Sequence, residues 1–184
     1  MKDQKTRIHP HKFTLWIGLV SIVMMFAGFT SAYIIKRNLS NWITFDLPLI
    51  FWYSTAVIII SSITIMLSRK AFKERQMRKY RQWLAITLAL GVAFVLMQYI
   101  GFTQLWDSGI TLTRSVSFSF LYIIVGLHAL HVVAGVIAMV IILIKAFRIK
   151  IKNYDPVQIE LMSTYWHFVD FLWIYLLLFL VMIR

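Results

Sequence analysis

The chain has no cysteine, which excludes disulfides, iron–sulfur clusters, c-type haem attachment and any thiolate copper site within it. Negative charge is nearly as scarce, with seven Asp and Glu against 19 Lys and Arg, and charged residues of both signs make up only 14% of the 184 positions. Gly-rich phosphate loops, internal repeats and low-complexity segments are also missing. The polar connections between apolar runs are short, about 10 to 20 residues, so none of them can fold as a soluble nucleotide-binding domain. What remains is apolar. Hydrophobic residues make up 60% of the chain and the mean hydropathy is +0.77, the composition of an integral membrane protein rather than a soluble domain. A formal net charge of +12 raises nucleic acid as a partner, but that reading needs the cations on one exposed face, and here apolar runs separate them. No nucleic-acid partner is expected.

Phe13 to Ile35 runs without a charge, and about 20 apolar residues suffice to cross a bilayer core. A cleaved signal peptide has a shorter apolar region, about 7–15 residues, so this run is expected to stay as a helix. Four more spans follow over 47–68, 83–106, 115–144 and 161–183. The expectation is therefore an all-α, polytopic membrane bundle of five transmembrane helices forming a single membrane domain over residues 1–184. The fourth run exceeds a hydrocarbon core of about 30 Å, so its Ser115–Ser119 start is expected in the interface or the helix tilted. Glycines at 18, 28, 91, 101, 126 and 135 are expected to let helices approach closely.

Basic residues set the orientation. The amino terminus, the 68–82 loop and the 145–163 loop hold 15 of the 19 Lys and Arg, and the opposite side holds Lys36, Arg37, Arg114 and Arg184. The positive-inside rule then places the amino terminus in the cytoplasm and the carboxyl terminus outside. The basic loop from Arg69 to Lys79 is explained by topology, with anionic lipid or an acidic partner surface as the sharper reading.

Chemistry concentrates between Gly126 and Asp170. His128 and His131 sit three apart on one face of the fourth span, and His167 and Asp170 do the same on the fifth. A carboxylate at membrane depth costs a few kcal/mol, so it calls for a partner or a function. Three imidazoles and a carboxylate raise a metal or haem site. Counted from span ends near Ile144 and Thr164, however, the two pairs lie about 10 Å apart along the membrane normal, far beyond metal–nitrogen bonds of about 2 Å. No metal is therefore expected. For the histidines, hydrogen bonds across helices are the simpler account. For Asp170, three readings stay open: a tie between helices satisfied in part by His167, a proton relay, and a contact with a lipid head group.

These motifs carry a resemblance. Gly126-Leu127-His128-Ala129-Leu130-His131-Val132 with Gly135, then Glu160, then Tyr165-Trp166-His167-Phe168-Val169-Asp170-Phe171-Leu172-Trp173, closely resembles subunit III of the haem-copper terminal oxidases. Weaker agreement lies at Ser21 to Phe29, at Ser61-Ser62-Ile63-Thr64 and at Leu96-Met97-Gln98. The chain looks like the five-helix bacterial form that lacks the first two helices of longer members. It departs from the family at Ile22 and Gly101, where glutamates are usual, so carboxylate roles at those positions do not carry over. The resemblance implies a subunit without redox centres of its own in a proton-pumping oxidase, with cytochrome c oxidase preferred. It further implies packing beside catalytic subunit I, with subunit II in the same complex and haem and copper in those partners. Bound phospholipid, support for proton uptake and for durability, and membership of a larger respiratory assembly are also implied. The membrane would be the bacterial inner membrane. Within this reading His128, His131, Glu160, Trp166, His167 and Asp170 organise helix contacts or lipid, and no catalytic residue is expected. Competing readings are a haem-binding anchor that pairs His128 or His131 with His167, a quinol oxidase subunit III, and a small proton-coupled transporter built on Asp170.

Overall fold

The computed structural model describes residues 10–37, 48–109, 116–148 and 156–183. They form five helices: α1 (Pro10–Arg37), α2 (Ile50–Lys73), α3 (Met77–Asp107), α4 (Val116–Arg148) and α5 (Val157–Ile183). All five are long and apolar enough to cross a membrane, and no strand occurs among the described residues. With no water in the bilayer core to satisfy free N–H and C=O groups, a chain this apolar closes its backbone hydrogen bonds within helices.

The helices extend past the charge-free runs that announce them. Helix α3 begins at Met77 rather than 83 and α5 at Val157 rather than 161, while α4 continues to Arg148 rather than 144. A helix ends where its hydrogen-bond ladder ends, not where the first charge appears, and long basic side chains on a terminal turn can reach the interface. The prolines mark the true starts. Pro10 opens α1, Pro48 lies two residues before α2 with its carbonyl accepting from the Phe51 N–H, and Pro156 immediately precedes α5 with its carbonyl accepting from the Glu160 N–H. Proline suits these positions because a first-turn N–H has no partner within the helix. The expected starts at Leu47 and Ser115, and the basic residues Lys2, Lys5, Arg7, Arg114, Lys150, Lys152 and Arg184, lie outside the described residues.

Helices α2 and α3 form a tight antiparallel hairpin. Their turn is a Schellman closure: Gln76 N–H donates to Ala71 O at 2.9 Å and Arg75 N–H to Phe72 O at 3.0 Å. Arg75 therefore takes the left-handed conformation, with φ 57°, at the position where glycine is usual. A side chain there costs about 1–2 kcal/mol. Arg75→Gly should accordingly raise the stability of the purified protein by about 1 kcal/mol, read as a higher midpoint of thermal unfolding in detergent. A lower midpoint would show that the arginine side chain contributes more than the backbone loses.

Helix α5 packs against α1, α2 and α4, α3 lies against α2 and α4, and α1 rests on α4 and α5. Helix α5 is thus central, and its buried stripe of Met162, Trp166, Val169, Asp170, Trp173, Leu176 and Leu180 faces the middle of the bundle. By contrast α1 buries only Leu19, Phe26, Thr30 and Tyr33, the pattern of a helix packed on one side.

The glycines divide into two groups. A Cβ at Gly91 would lie 2.7 Å from Trp166 Cη2, at Gly135 3.0 Å from Tyr165 and 3.1 Å from Trp166, and at Gly101 3.0 Å from Phe51. These three admit close approach as expected. Gly18, Gly28 and Gly126 meet nothing within 4 Å, so no described neighbour requires them to be small. Gly91→Ala should destabilise the bundle by about 1–3 kcal/mol through overpacking, whereas Gly28→Ala should leave the unfolding midpoint of the isolated chain unchanged or slightly raised. Equal midpoints for both variants would contradict this packing.

Candidate functional site

Trp166 and Trp173 stand two turns apart on α5 and fix the centre of the bundle. The Trp166 ring lies in the slot opened by Gly91 of α3 and Gly135 of α4, and its indole N–H donates to Ser61 Oγ of α2 at 2.9 Å. One side chain thereby joins four helices. Trp173 donates to Thr55 Oγ1 at 2.9 Å and packs its ring against Phe51 and Phe94.

The acceptors come from a row of hydroxyls on α2 that the sequence reading gave no role. Ser54 accepts from Gln98 Nε2 at 2.9 Å, Thr55 from Trp173, Ser61 from Trp166, and Ser62 is paired with His167 Nδ1. Thr64 meets Thr87 of α3 at 2.8 Å, and Ser68 Oγ donates to Tyr80 O at 3.4 Å. The signal was present, since Ser54, Ser61 and Ser68 recur every seventh residue, as do Thr55 and Ser62. A seven-residue repeat holds one seam of a helix against its neighbours. In lipid, association relies on packing and interhelical hydrogen bonds of about 0.6–1.7 kcal/mol each rather than on the hydrophobic effect. A spine of such bonds makes α2, α3 and α5 one unit.

The six candidate residues separate into distinct environments. His128 is fully buried, with its ring stacked on Trp173 at 5.2 Å and flanked edge-on by Phe94 at 6.2 Å and Phe26 at 6.4 Å. Neither ring nitrogen has a hydrogen-bond partner among the described residues. His131 is half-buried and its Nδ1 lies 2.7 Å from Leu127 O, so that nitrogen carries the proton and donates to its own helix. The His131 carbonyl accepts from Tyr165 Oη at 2.9 Å. His167 faces α2 through Ser62. Asp170 is only 4% exposed and lies close enough to Ser62 to interact electrostatically, yet neither carboxylate oxygen meets hydrogen-bond geometry with any described residue. Glu160 sits apart at the basic end of the bundle, ion-paired with Lys12 of α1 at 2.8 Å.

Two expectations change here. Of His128, His131 and His167, only His167 forms a hydrogen bond from its ring to another helix among the described residues. The 10 Å offset in depth is also absent: His128 stacks on Trp173 and Tyr165 reaches the His131 carbonyl, which brings the two motifs to one level. The longer ends of α4 and α5 account for part of it: Arg148 lies about 26 Å from His131 and Val157 about 20 Å from Asp170 at helical rise, which cuts the counted offset to about 6 Å. What separates the pairs is the face of the helix. His167 points to α2, whereas His128 and His131 both edge against Phe26 of α1. Among the described residues no group of three or more His, Cys, Asp or Glu could hold a metal ion. For a haem to pair His128 with His167, the Trp173 stack and the Ser62 bond would both have to be given up.

Fold and site together define a multi-pass helical membrane protein whose intramembrane polar side chains join helices at the centre of a bundle. A family model described as cytochrome c oxidase subunit III matches residues 38–183, a stretch that contains α2 to α5 and all six candidate residues. The chain belongs to this family: it is a subunit III of a haem-copper oxidase, a non-catalytic member of an oxidoreductase complex that associates with other oxidase subunits. It is similar to a probable cytochrome c oxidase subunit 3 of Nocardia farcinica, 34% identical over 171 residues, covering 86% of this chain and 80% of the relative. A probable cytochrome c oxidase subunit 3 of Mycobacterium bovis is 31% identical over 173 residues, covering 91% and 85%. A cytochrome bo(3) ubiquinol oxidase subunit 3 of Buchnera aphidicola is 30% identical over 167 residues, covering 88% of each chain.

Proposed function

We propose that this chain is the subunit III, without a redox centre of its own, of a proton-pumping terminal oxidase in the bacterial cytoplasmic membrane. It forms one membrane domain, with its amino terminus in the cytoplasm and its carboxyl terminus outside. It packs beside catalytic subunit I in a complex that includes subunit II, and haem and copper belong to those partners. Its roles are to hold phospholipid, to support proton uptake from the cytoplasmic side and to keep the catalytic subunit durable during turnover, within or outside a larger respiratory assembly. The observation that carries this reading is the four-helix match to the family together with intramembrane histidines engaged in ring packing, a main-chain hydrogen bond and a serine contact.

Cytochrome c is the preferred electron donor, the donor type named for the Nocardia and Mycobacterium relatives. The Buchnera relative, named for ubiquinol, supports quinol as the second reading. The test is to purify the oxidase from cells with and without this chain and to follow oxygen consumption to exhaustion with reduced cytochrome c or with quinol. Oxidase lacking the chain should start at a comparable rate and inactivate in fewer turnovers. Identical inactivation curves would overturn the proposed role, and the donor that sustains turnover decides between the two oxidase types.

A further inference from the structure

From Arg69 to Arg81 the α2–α3 turn carries seven Lys and Arg and a single carboxylate, Glu74, which accepts from Gln76 Nε2 at 3.1 Å within the turn. Lys70, Lys73, Arg75, Arg78 and Lys79 are exposed. Lys73 stands five residues past Ser68, where the charge-free run of α2 ends, and Met77 six residues before Trp83, where that of α3 begins. These separations are about 8 and 9 Å at helical rise, whereas a head-group layer is about 5–8 Å thick. The turn therefore stands at the outer margin of the head groups, where its cations meet water. Beside it lies a notch of about 270 Å³ lined by Phe72, Lys73, Arg75, Pro156 and Glu160. Phe72 and Pro156 give the notch an apolar wall, with the Phe72 ring held edge-on to Tyr80 at 5.0 Å. The Glu160 carboxylate is already engaged by Lys12 at 2.8 Å through Oε2, and its Oε1 stands 4.0 Å from both Arg69 Nη2 and Lys73 Nζ. That longer distance is outside hydrogen-bond reach, so Glu160 does not occupy the Lys73 donors. Arg75 holds the left-handed conformation at φ 57°, where glycine would strain the backbone less. A side chain kept against such a backbone cost points to a use for that side chain.

We propose that the notch at the α2–α3 turn docks an acidic segment of a partner protein, which lays an apolar side chain on Phe72 and Pro156 and pairs its carboxylates with Lys73 and Arg75. Charge selects the partner. The turn presents cations almost alone, so an acidic surface is attracted and a basic one repelled, with the strongest pull at low ionic strength. Arg75 supplies a planar fork matched to a carboxylate, and Lys73 adds a point charge across the notch. The volume selects a peptide over a cofactor-sized anion, since small-molecule sites are commonly about 300–1,000 Å³ and this notch has room for one or two side chains. The height of the turn selects a water-exposed protein segment over a lipid phosphate. The left-handed Arg75 also links docking to stability: glycine there relieves the backbone and removes a binding group in one substitution.

The experiment treats permeabilised cells producing the full chain with a carbodiimide, which joins a lysine amine to a carboxylate in contact with it. The chain is then purified and its cross-links are mapped by mass spectrometry. Lys73 should be joined to an Asp or Glu of another protein, in a segment that carries further carboxylates and an apolar residue. Arg75→Gly should lower the yield of that cross-link about fivefold while the unfolding midpoint of the purified chain rises. Arg75→Asn, which also tolerates the left-handed conformation, should lower it similarly, and Arg75→Lys should retain most of it. Cross-links from Lys73 only to Glu74 or Glu160 of its own chain, or a yield unchanged in Arg75→Gly, would overturn the docking site. Reduced retention of phosphatidylglycerol by Arg75→Gly, with no cross-link to another protein, would assign the turn to the membrane and overturn it as well. Haem in the purified wild-type complex is scored separately. Its absence would remove the oxidase-subunit reading, while the cross-link at Lys73 would still decide the docking site.

Discussion

Trp166→Ala should be the most damaging single substitution in the bundle, costing about 3–5 kcal/mol. The residue is fully buried, fills the slot between Gly91 and Gly135, and donates to Ser61 Oγ. Alanine would leave a cavity lined by four helices and a buried serine oxygen without its donor, and lipid cannot enter to restore the lost contacts. Trp166→Phe retains much of the volume and loses the indole donor, so it should cost far less. Ser61→Ala removes only the acceptor, with an expected loss of about 0.6–1.7 kcal/mol. Unfolding of the purified chain in mixed micelles measures all three. A Trp166→Ala loss no larger than that of Ser61→Ala would show that the tryptophan does not organise the centre.

Asp170→Leu should separate stability from function. The carboxylate is buried and its oxygens have no hydrogen-bond partner among the described residues, and a buried polar group in that condition costs the fold about 1–3 kcal/mol. An apolar replacement of similar volume removes this cost, as replacement of buried ionic groups by hydrophobic ones commonly does. The isolated bundle should therefore keep or raise its unfolding midpoint, by as much as about 3 kcal/mol. Oxidase assembled with the variant should nonetheless inactivate sooner during turnover, while its haem spectrum remains intact. Proteins retain destabilising groups where activity requires them. A lower midpoint for the isolated variant would instead restore Asp170 as a structural tie between helices, and loss of haem from an intact complex would contradict the subunit assignment.

The five helices were legible because bilayer thickness imposes long charge-free runs, and the prolines at 10, 48 and 156 would have sharpened three of their starts. The pairing of His128 with His131, and of His167 with Asp170, followed from helical periodicity alone. Their relation to one another did not, because periodicity gives the face of a residue relative to its own helix and not the rotation of that helix in the bundle. Depth differs for a related reason: an apolar run does not show where the helix ends, since α4 runs on through Lys145 to Arg148 and α5 begins at Val157, ahead of Glu160 and Thr164. The hydroxyl spine was visible as a seven-residue repeat but reads as ordinary polarity until the Trp166 and Trp173 indoles are seen to end on it. Glu160 was assigned through the resemblance, and its three cations lie 87 to 148 residues away in sequence, beyond the reach of any local pattern.

The central claim is that this chain supports an oxidase whose redox chemistry belongs to other subunits. Its most direct test is to capture the complex through this chain in mild detergent, record absorbance and oxygen consumption, then strip the chain away and record its spectrum alone. The complex should show haem bands and reduce oxygen, and the stripped chain should be colourless. A haem band that stays with the isolated chain would make its histidines ligands and contradict the account.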